Sequence, residues 1–173
     1  LSMTDCTLSS NSADNGGGLY NQSASENNII SRSTFTNNTS TIIYGSALFN
    51  GLYWNGSVNI SGNLSVSNST FTGNTNVCLR NDGNLTLINS TLYGNSASSG
   101  TATLYNYAAT ASLIIANTII GGTMGDGSDC KYDSLSTLIQ TNNLIEDETC
   151  SPTYSGPPLL DPLADNGGPT QTM

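Results

Sequence analysis

The stretches STFTNN (33–38), STFTGN (69–74) and STLYGN (90–95) are copies of one phrase, and CTLSSN (6–11) and NTIIGG (117–122) align with them without gaps. Their threonines, Thr7, Thr34, Thr70, Thr91 and Thr118, lie 27, 36, 21 and 27 residues apart. A second block follows the first: GLYN (18–21), ALFN (47–50), CLRN (78–81) and TLYN (103–106). A third block, apolar at alternate positions, precedes it: LSVSN (64–68), LTLIN (85–89) and LIIAN (113–117). Self-similarity at a period of a few tens of residues marks a solenoid, because one repeat cannot bury its own apolar face and needs a neighbour stacked on it. Three short strands per repeat, with Gly, Asn and Ser between them, predict an all-β parallel β-helix of about five to six coils.

Stacking at about 4.8 Å places like residue over like residue. The inward columns are expected to be Leu8, Phe35, Phe71, Leu92 and Ile119, and Leu19, Leu48, Leu79 and Leu104. Two asparagine columns run beside them, Asn11, Asn38, Asn74 and Asn95, and Asn21, Asn50, Asn81 and Asn106. Asparagine tolerates the left-handed backbone of a corner, and its amide can bond the amide of the next coil, so both columns are read as ladders that also turn the chain.

Composition agrees with this reading. Ser, Thr and Asn make up 70 of 173 residues, while charged residues are only 9%. Helix formers are scarce apart from Leu, and β-branched and turn residues abound. The chain has no His, which excludes imidazole bases and His-ligated metals. Three basic residues (Arg32, Arg80, Lys131) against 12 acids give a net charge of -9, so no cation cluster for phosphates can be assembled, and nucleic acid is not an expected partner. No apolar run is long enough for a membrane-spanning helix. Low charge, Asn/Ser/Thr richness and four cysteines read as extracytoplasmic. The chain opens at Leu1 inside a repeat, which reads as a processed or excised piece of something longer.

Insertions account for the unequal spacing. The largest, GLYWNGSVNISGN (51–63), carries the only Trp. All five prolines follow residue 151 and eight of the 12 acids follow residue 125, so the repeats are assigned to 1–125 and a loop-rich closing segment to 126–173.

The repeats resemble those of extracellular bacterial β-helix proteins of the polymorphic outer-membrane type. The run from NTII (117–120) through GSDC (127–130) and NNLIEDETC (142–150) to LLDPLADNGGPTQTM (159–173) is similar to the carboxy-terminal signature of choice-of-anchor Q domain proteins. The resemblance implies a right-handed parallel β-helix, secreted or displayed at the cell surface, usually within a longer chain that ends in an envelope anchor. It also implies a disulfide between Cys130 and Cys150, which match the cysteine pair of that signature, and it carries over no catalytic residue.

Cys6 and Cys78 fall three coils apart, roughly 14 Å by stacking distance, beyond a disulfide's span. They are expected as free thiols, with Cys6 alternatively bonding another subunit. Asp126, Asp129 and Asp133 beside glycines invite a calcium reading, but their spacing is not that of an EF-hand loop, and solvated turns are expected instead. A glycosidase needs two carboxylates about 5 to 9.5 Å apart on a groove. The repeats offer only Asp5, Asp14, Glu26 and Asp82, in separate coils.

Tyr20, Phe49 and Tyr105 share one column, interrupted by Arg80, and Tyr53 and Trp54 lie on the inserted loop. These five aromatics are the candidate contact surface, for stacking on a glycan or for packing against the loop or a neighbouring subunit. Several Asn-x-Ser/Thr sequons occur, with Asn55 the most favourably placed for glycosylation. The expectation is a non-enzymatic extracellular structural protein without cofactor or metal: a stalk, adhesin-like module or filament subunit that associates by head-to-tail stacking. The alternative is a carbohydrate-binding wall, and behind it a polysaccharide lyase or hydrolase.

Overall fold

The computed structural model describes residues 1–54 and 56–173; the side chains of Tyr53 and Trp54, and all of Asn55, lie outside the described residues. The chain is an all-β parallel solenoid, with no helix among the described residues. Wall A stacks Ser2–Thr4, Ile29–Ser31, Asn63–Ser67, Asn84–Ile88, Ser112–Ala116 and Thr137–Thr141. Wall B stacks Thr7–Ser9, Thr34–Thr36, Thr70–Thr72, Thr91–Tyr93, Ile119–Gly121 and Leu144–Ile145. Wall C stacks Leu19–Asn21, Leu48–Asn50, Leu79–Asn81, Ala102–Asn106 and Ser128–Tyr132. Five coils therefore have all three walls, and a sixth adds to walls A and B. All three ladders continue past residue 125, so the boundary expected there falls inside the stack, which runs to Ile145. The inserted stretch contributes an antiparallel hairpin, Leu52–Trp54 with Asn59–Ser61.

The core is a set of stacked apolar columns. Leu64, Leu85 and Leu113 are in register, as are Val66, Leu87 and Ile115. Phe35 and Phe71 lie fully buried with rings 4.8 Å apart and nearly parallel. The fifth member of that column is Ile120, not Ile119: Leu92 pairs with Ile120, which is fully buried, and Ile119 sits over Thr91 on the outer side. The cause lies one position earlier. Ser33, Ser69 and Ser90 form a hydroxyl column in which each Oγ accepts the backbone N–H of the residue at the same place one coil before it, Cys6, Ser33 and Ser69 in turn, at 3.2 Å. Thr118 fills the next place, its Oγ1 accepting from Ser90 N–H at 3.5 Å. Thr118 therefore continues the serine column, and the phrase shifts by one residue.

Both asparagine ladders form. Nδ2 of Asn11, Asn38 and Asn74 donates to Oδ1 of Asn38, Asn74 and Asn95 at 3.0, 3.0 and 2.9 Å. The backbone N–H of each donor residue reaches the same Oδ1 at 3.0 to 3.1 Å, and since an N–H can only donate, it fixes which amide atom is oxygen. Asn21, Asn50, Asn81 and Asn106 repeat the amide-to-amide bonds at 2.7, 2.8 and 2.7 Å. Turning the corner, however, falls to other columns. Left-handed backbone occurs at Asp5, Arg32, Asn68, Asn89, Asn117 and Asn142 between walls A and B. It recurs at Ser10, Asn37, Gly73 and Gly94, the residue before each asparagine of the first ladder, and at Gly122 before Thr123, and glycine removes the Cβ penalty there.

The far end of the stack is covered over walls B and C. Cys130 takes the inward place over Leu104 and is bonded to Cys150 (Cα–Cα 5.8 Å), whose side chain packs on the core. The edge of coil 5 in wall C is satisfied by side chains: Asp129 N–H donates to Asp147 Oδ2 at 2.9 Å and Cys130 N–H to Thr149 Oγ1 at 3.0 Å. Tyr154 bridges Leu144 at the edge of wall B, and Asn142 N–H donates to Thr153 Oγ1 at 3.0 Å. Beyond Gly156 the chain returns along wall B to the first two coils, where Thr34 Oγ1 donates to Gln171 O at 2.7 Å.

Candidate functional site

Wall C carries the column singled out as a contact surface. Strand alternation points Leu19, Leu48, Leu79 and Leu104 inward and therefore Tyr20, Phe49, Arg80 and Tyr105 outward. Tyr20 and Phe49 stack with centroids 4.7 Å apart and planes 9° apart. The column is nonetheless covered: Phe49, Arg80 and Tyr105 are buried, and only Tyr20, 40% exposed, offers a ring to solvent. Burial raises the Tyr20 phenol above its usual range, with Asp82 adding to the shift. Tyr53 and Trp54 have no described side chains, and Asn55 is outside the described residues, so their expected roles are not placed.

Arg80 explains the cover. Its guanidinium lies 4.2 Å from the Tyr44 ring centroid and 3.9 Å from that of Tyr107, a sandwich between two aromatics. Nε and Nη2 donate to the two oxygens of Asp82 at 2.9 and 3.0 Å, and Nη1 reaches Ile43 O at 3.3 Å. A planar cation suits this place because its faces meet rings while its edge meets a carboxylate. Tyr105 packs edge-on against Tyr107 at 5.3 Å, and Lys131 Nζ lies 5.1 Å from the Tyr105 centroid. Asp82, Tyr44 and Tyr107 were not among the residues expected here. The signal available was a cation inside an aromatic column, followed two residues later by an acid on the same side of the strand.

The acids are dispersed. Asp5 pairs with Arg32, with Nε to Oδ1 at 2.8 Å, which holds the Asp5 carboxyl below its usual range and the guanidinium above its own. Asp14 accepts from Thr41 Oγ1, and Asp82 belongs to Arg80. Glu26 overhangs a shallow groove on wall A floored by Asn63, Ser65, Asn84, Thr86 and Ile114. Asp126 is exposed, Asp133 Oδ1 accepts Leu135 N–H at 2.9 Å, and Asp129 is buried. The three therefore do not converge. Asp129 instead takes the Thr123 hydroxyl and, at 3.0 Å, Asp147 N–H. Burial pushes its carboxyl up, partly offset by those hydrogen bonds. Among the described residues no group of three or more Cys, Asp and Glu could hold a metal ion.

Cys6 is half-buried with its thiol toward Thr4 O at 3.2 Å, and Cys78 is buried, its thiol pushed far up by desolvation. The Cys130–Cys150 bond indicates an oxidising, non-cytoplasmic environment. Among the described residues no helix is long and apolar enough to cross a membrane. Comparison with protein-family models, with curated proteins and with solved structures finds no match for this chain.

Proposed function

We propose that the protein is a non-enzymatic structural β-solenoid of the cell exterior, a rigid stalk or surface-display module. The observation that carries the reading is where the polar side chains go. Eight asparagines and the serine column are spent on bonds between coils inside the stack, and a disulfide closes one end. Such an interior buys straightness and cohesion along one axis, as a spacer requires. The similarity of DPLADNGGPTQT (161–172) to choice-of-anchor Q proteins supports display on a bacterial envelope.

Within this reading the stalk is favoured over a filament made by head-to-tail stacking. Coil-on-coil addition needs an open edge at both ends. Residues 147–154 already occupy the edges of the last coils at walls B and C. The glycan-wall alternative loses its main platform, because Phe49 and Tyr105 are buried beneath Tyr44, Tyr107 and the Arg80 pair. Protease shaving of intact source cells tests the proposal. Release of the protein's peptides into the supernatant is expected, and recovery only from the reduced cytoplasmic fraction would overturn it.

A further inference from the structure

The outer face of wall B has an occupant. Thr7, Thr34, Thr70 and Thr91 all point outward in register, opposite the inward Leu8, Phe35, Phe71 and Leu92. Thr7 is exposed, yet Thr34 and Thr70 retain only 1% and 5% of their surface. The segment 164–172 lies on this side. Thr34 Oγ1 donates to Gln171 O at 2.7 Å, Thr170 Oγ1 donates to Arg32 O at 3.1 Å, and Thr7 lines a pocket with Asp165, Gly168, Pro169, Thr170 and Gln171. The segment holds its own shape as a hook. Ala164 and Thr172 exchange backbone hydrogen bonds at 2.9 and 3.0 Å, and Asn166 Nδ2 donates to Thr172 Oγ1 at 3.0 Å.

The connection to the hook has the opposite character. Gly156 is bonded to Glu146 O on coil 6, and among the described residues nothing from Pro157 to Leu163 makes a hydrogen bond. Leu159 is 88% exposed. Pro157, Pro158 and Pro162 restrict the backbone of this hinge, which bends at Leu159, where φ is 52°. Even at the polyproline rise of about 3.1 Å per residue, its eight links would reach no more than about 25 Å. Four coil rises of about 4.8 Å, from coil 6 back to coil 2, need about 19 Å. The hook is thus a self-folded element, held to the face by two side-chain hydrogen bonds and tethered by a hinge with no bonds to break.

We infer that the outer face of wall B at coils 1 to 3 is a docking site for the 164–172 hook, and that the hook is exchangeable: its partner is the same face of a second copy of this chain. A two-fold axis across the solenoids would set coil 6 of each copy opposite coil 1 of the other, bringing each hinge close to the partner's site. The contacts made are those already seen within one chain, so exchange needs no new surface. This inference does not depend on the stalk reading, since it concerns a face and its occupant.

Hinge length tests it. Deleting residues 157–161 leaves three links, at most about 11 Å, too short to dock the hook within its own chain. The intact 173-residue chain, concentrated and refolded at high concentration, is expected to yield a dimer fraction by light scattering. The deletion variant is expected to be wholly dimeric. Inserting nine Gly/Ser residues after Gly156 is expected to restore the monomer. A refolded wild type that is strictly monomeric, or a dimer fraction indifferent to hinge length, would overturn the inference. So would a folded deletion variant that stays monomeric. If the deletion does not fold, wild type against the insertion decides alone.

Discussion

Asn74 is the place to test whether the amide ladders hold the coils together. It is fully buried, and its Oδ1 accepts both Asn38 N–H and Asn38 Nδ2, each at 3.0 Å. Its Nδ2 donates to Asn95 Oδ1 at 2.9 Å and to Phe35 O at 3.0 Å. In Asn74→Ala the amide of Asn38 keeps a partner, Leu8 O, and Asn95 Oδ1 keeps Asn74 N–H, but the buried Asn38 N–H has no acceptor left. One orphaned buried donor costs about 1 to 3 kcal/mol, and each lost net hydrogen bond about 1 more. The sum is about 2 to 5 kcal/mol, a large share of the roughly 5 to 15 kcal/mol that holds a domain together. Asn11→Ala removes only one of two donors to Asn38 Oδ1, at an exposed site, and should cost under about 1 kcal/mol. Asn74→Asp keeps an acceptor for Asn38 but turns a donor into a buried anion facing Asn95 Oδ1 and Phe35 O, and should be worse than alanine. Urea unfolding followed by circular dichroism gives the three midpoints. Equal losses at Asn11 and Asn74, or an Asp variant as stable as wild type, would refute the ladder's polarity and its weight.

Arg80→Ala leaves the Asp82 carboxylate in a nearly closed site and should cost about 3 to 5 kcal/mol, with Arg80→Ala/Asp82→Ala recovering part of it in a double-mutant cycle. Reducing Cys130–Cys150, which closes a separation of 20 residues, should cost about 3 kcal/mol and deprotect amides chiefly in coils 5 and 6 by hydrogen exchange. Asp129 has a folded-state pKa raised above its ordinary 3.8, so the folded state binds more protons just above that value. Its contribution is therefore full below about 3.8 and falls as pH rises through the folded pKa, and Asp129→Asn should flatten that part of a stability–pH profile. In the native protein iodoacetamide should modify Cys6 and spare Cys78, whose burial keeps the thiol protonated, as peptide mass mapping would show.

What repeats in this chain was legible in its sequence, and what occurs once was not. Both asparagine columns and the inward leucines of wall C recur in four successive coils and the stacked phenylalanines in two, and stacking turned that recurrence into register. The single slip in the repeats, Ile119 for Ile120, came from the one coil whose hydroxyl at the corner is Thr118 instead of serine. Serine and threonine are interchangeable as acceptors there, so letter matching aligned Thr118 with the outer threonines while the hydrogen-bond pattern aligns it with the inner serines. The turn residues were misassigned for a related reason. Asparagine recurs at the left-handed corner too, at Asn68, Asn89, Asn117 and Asn142, so the letter alone does not tell a corner from a ladder; Asp5 and Arg32 serve at the corner, whereas the ladder demands an amide.

The outer features follow the same logic with a different result. Arg80 is placed by Tyr44 from coil 2, Asp82 from its own strand and Tyr107 from the strand after it, contacts that occur in no other coil and so leave no period to find. The return of 164–172 to coil 2 joins residues 137 apart in sequence through Thr34 and Gln171. No spacing rule reaches that far. A solenoid core is a one-dimensional object whose energetics are near-neighbour terms, and those can be read from the repeat. Its partners and closures are set where that translational symmetry is broken: at the disulfide-tied end, at the Arg80 cluster and beneath the hook. Substitutions that preserve the columns should leave the fold intact wherever they fall, whereas changes in what this protein touches should map to those three places.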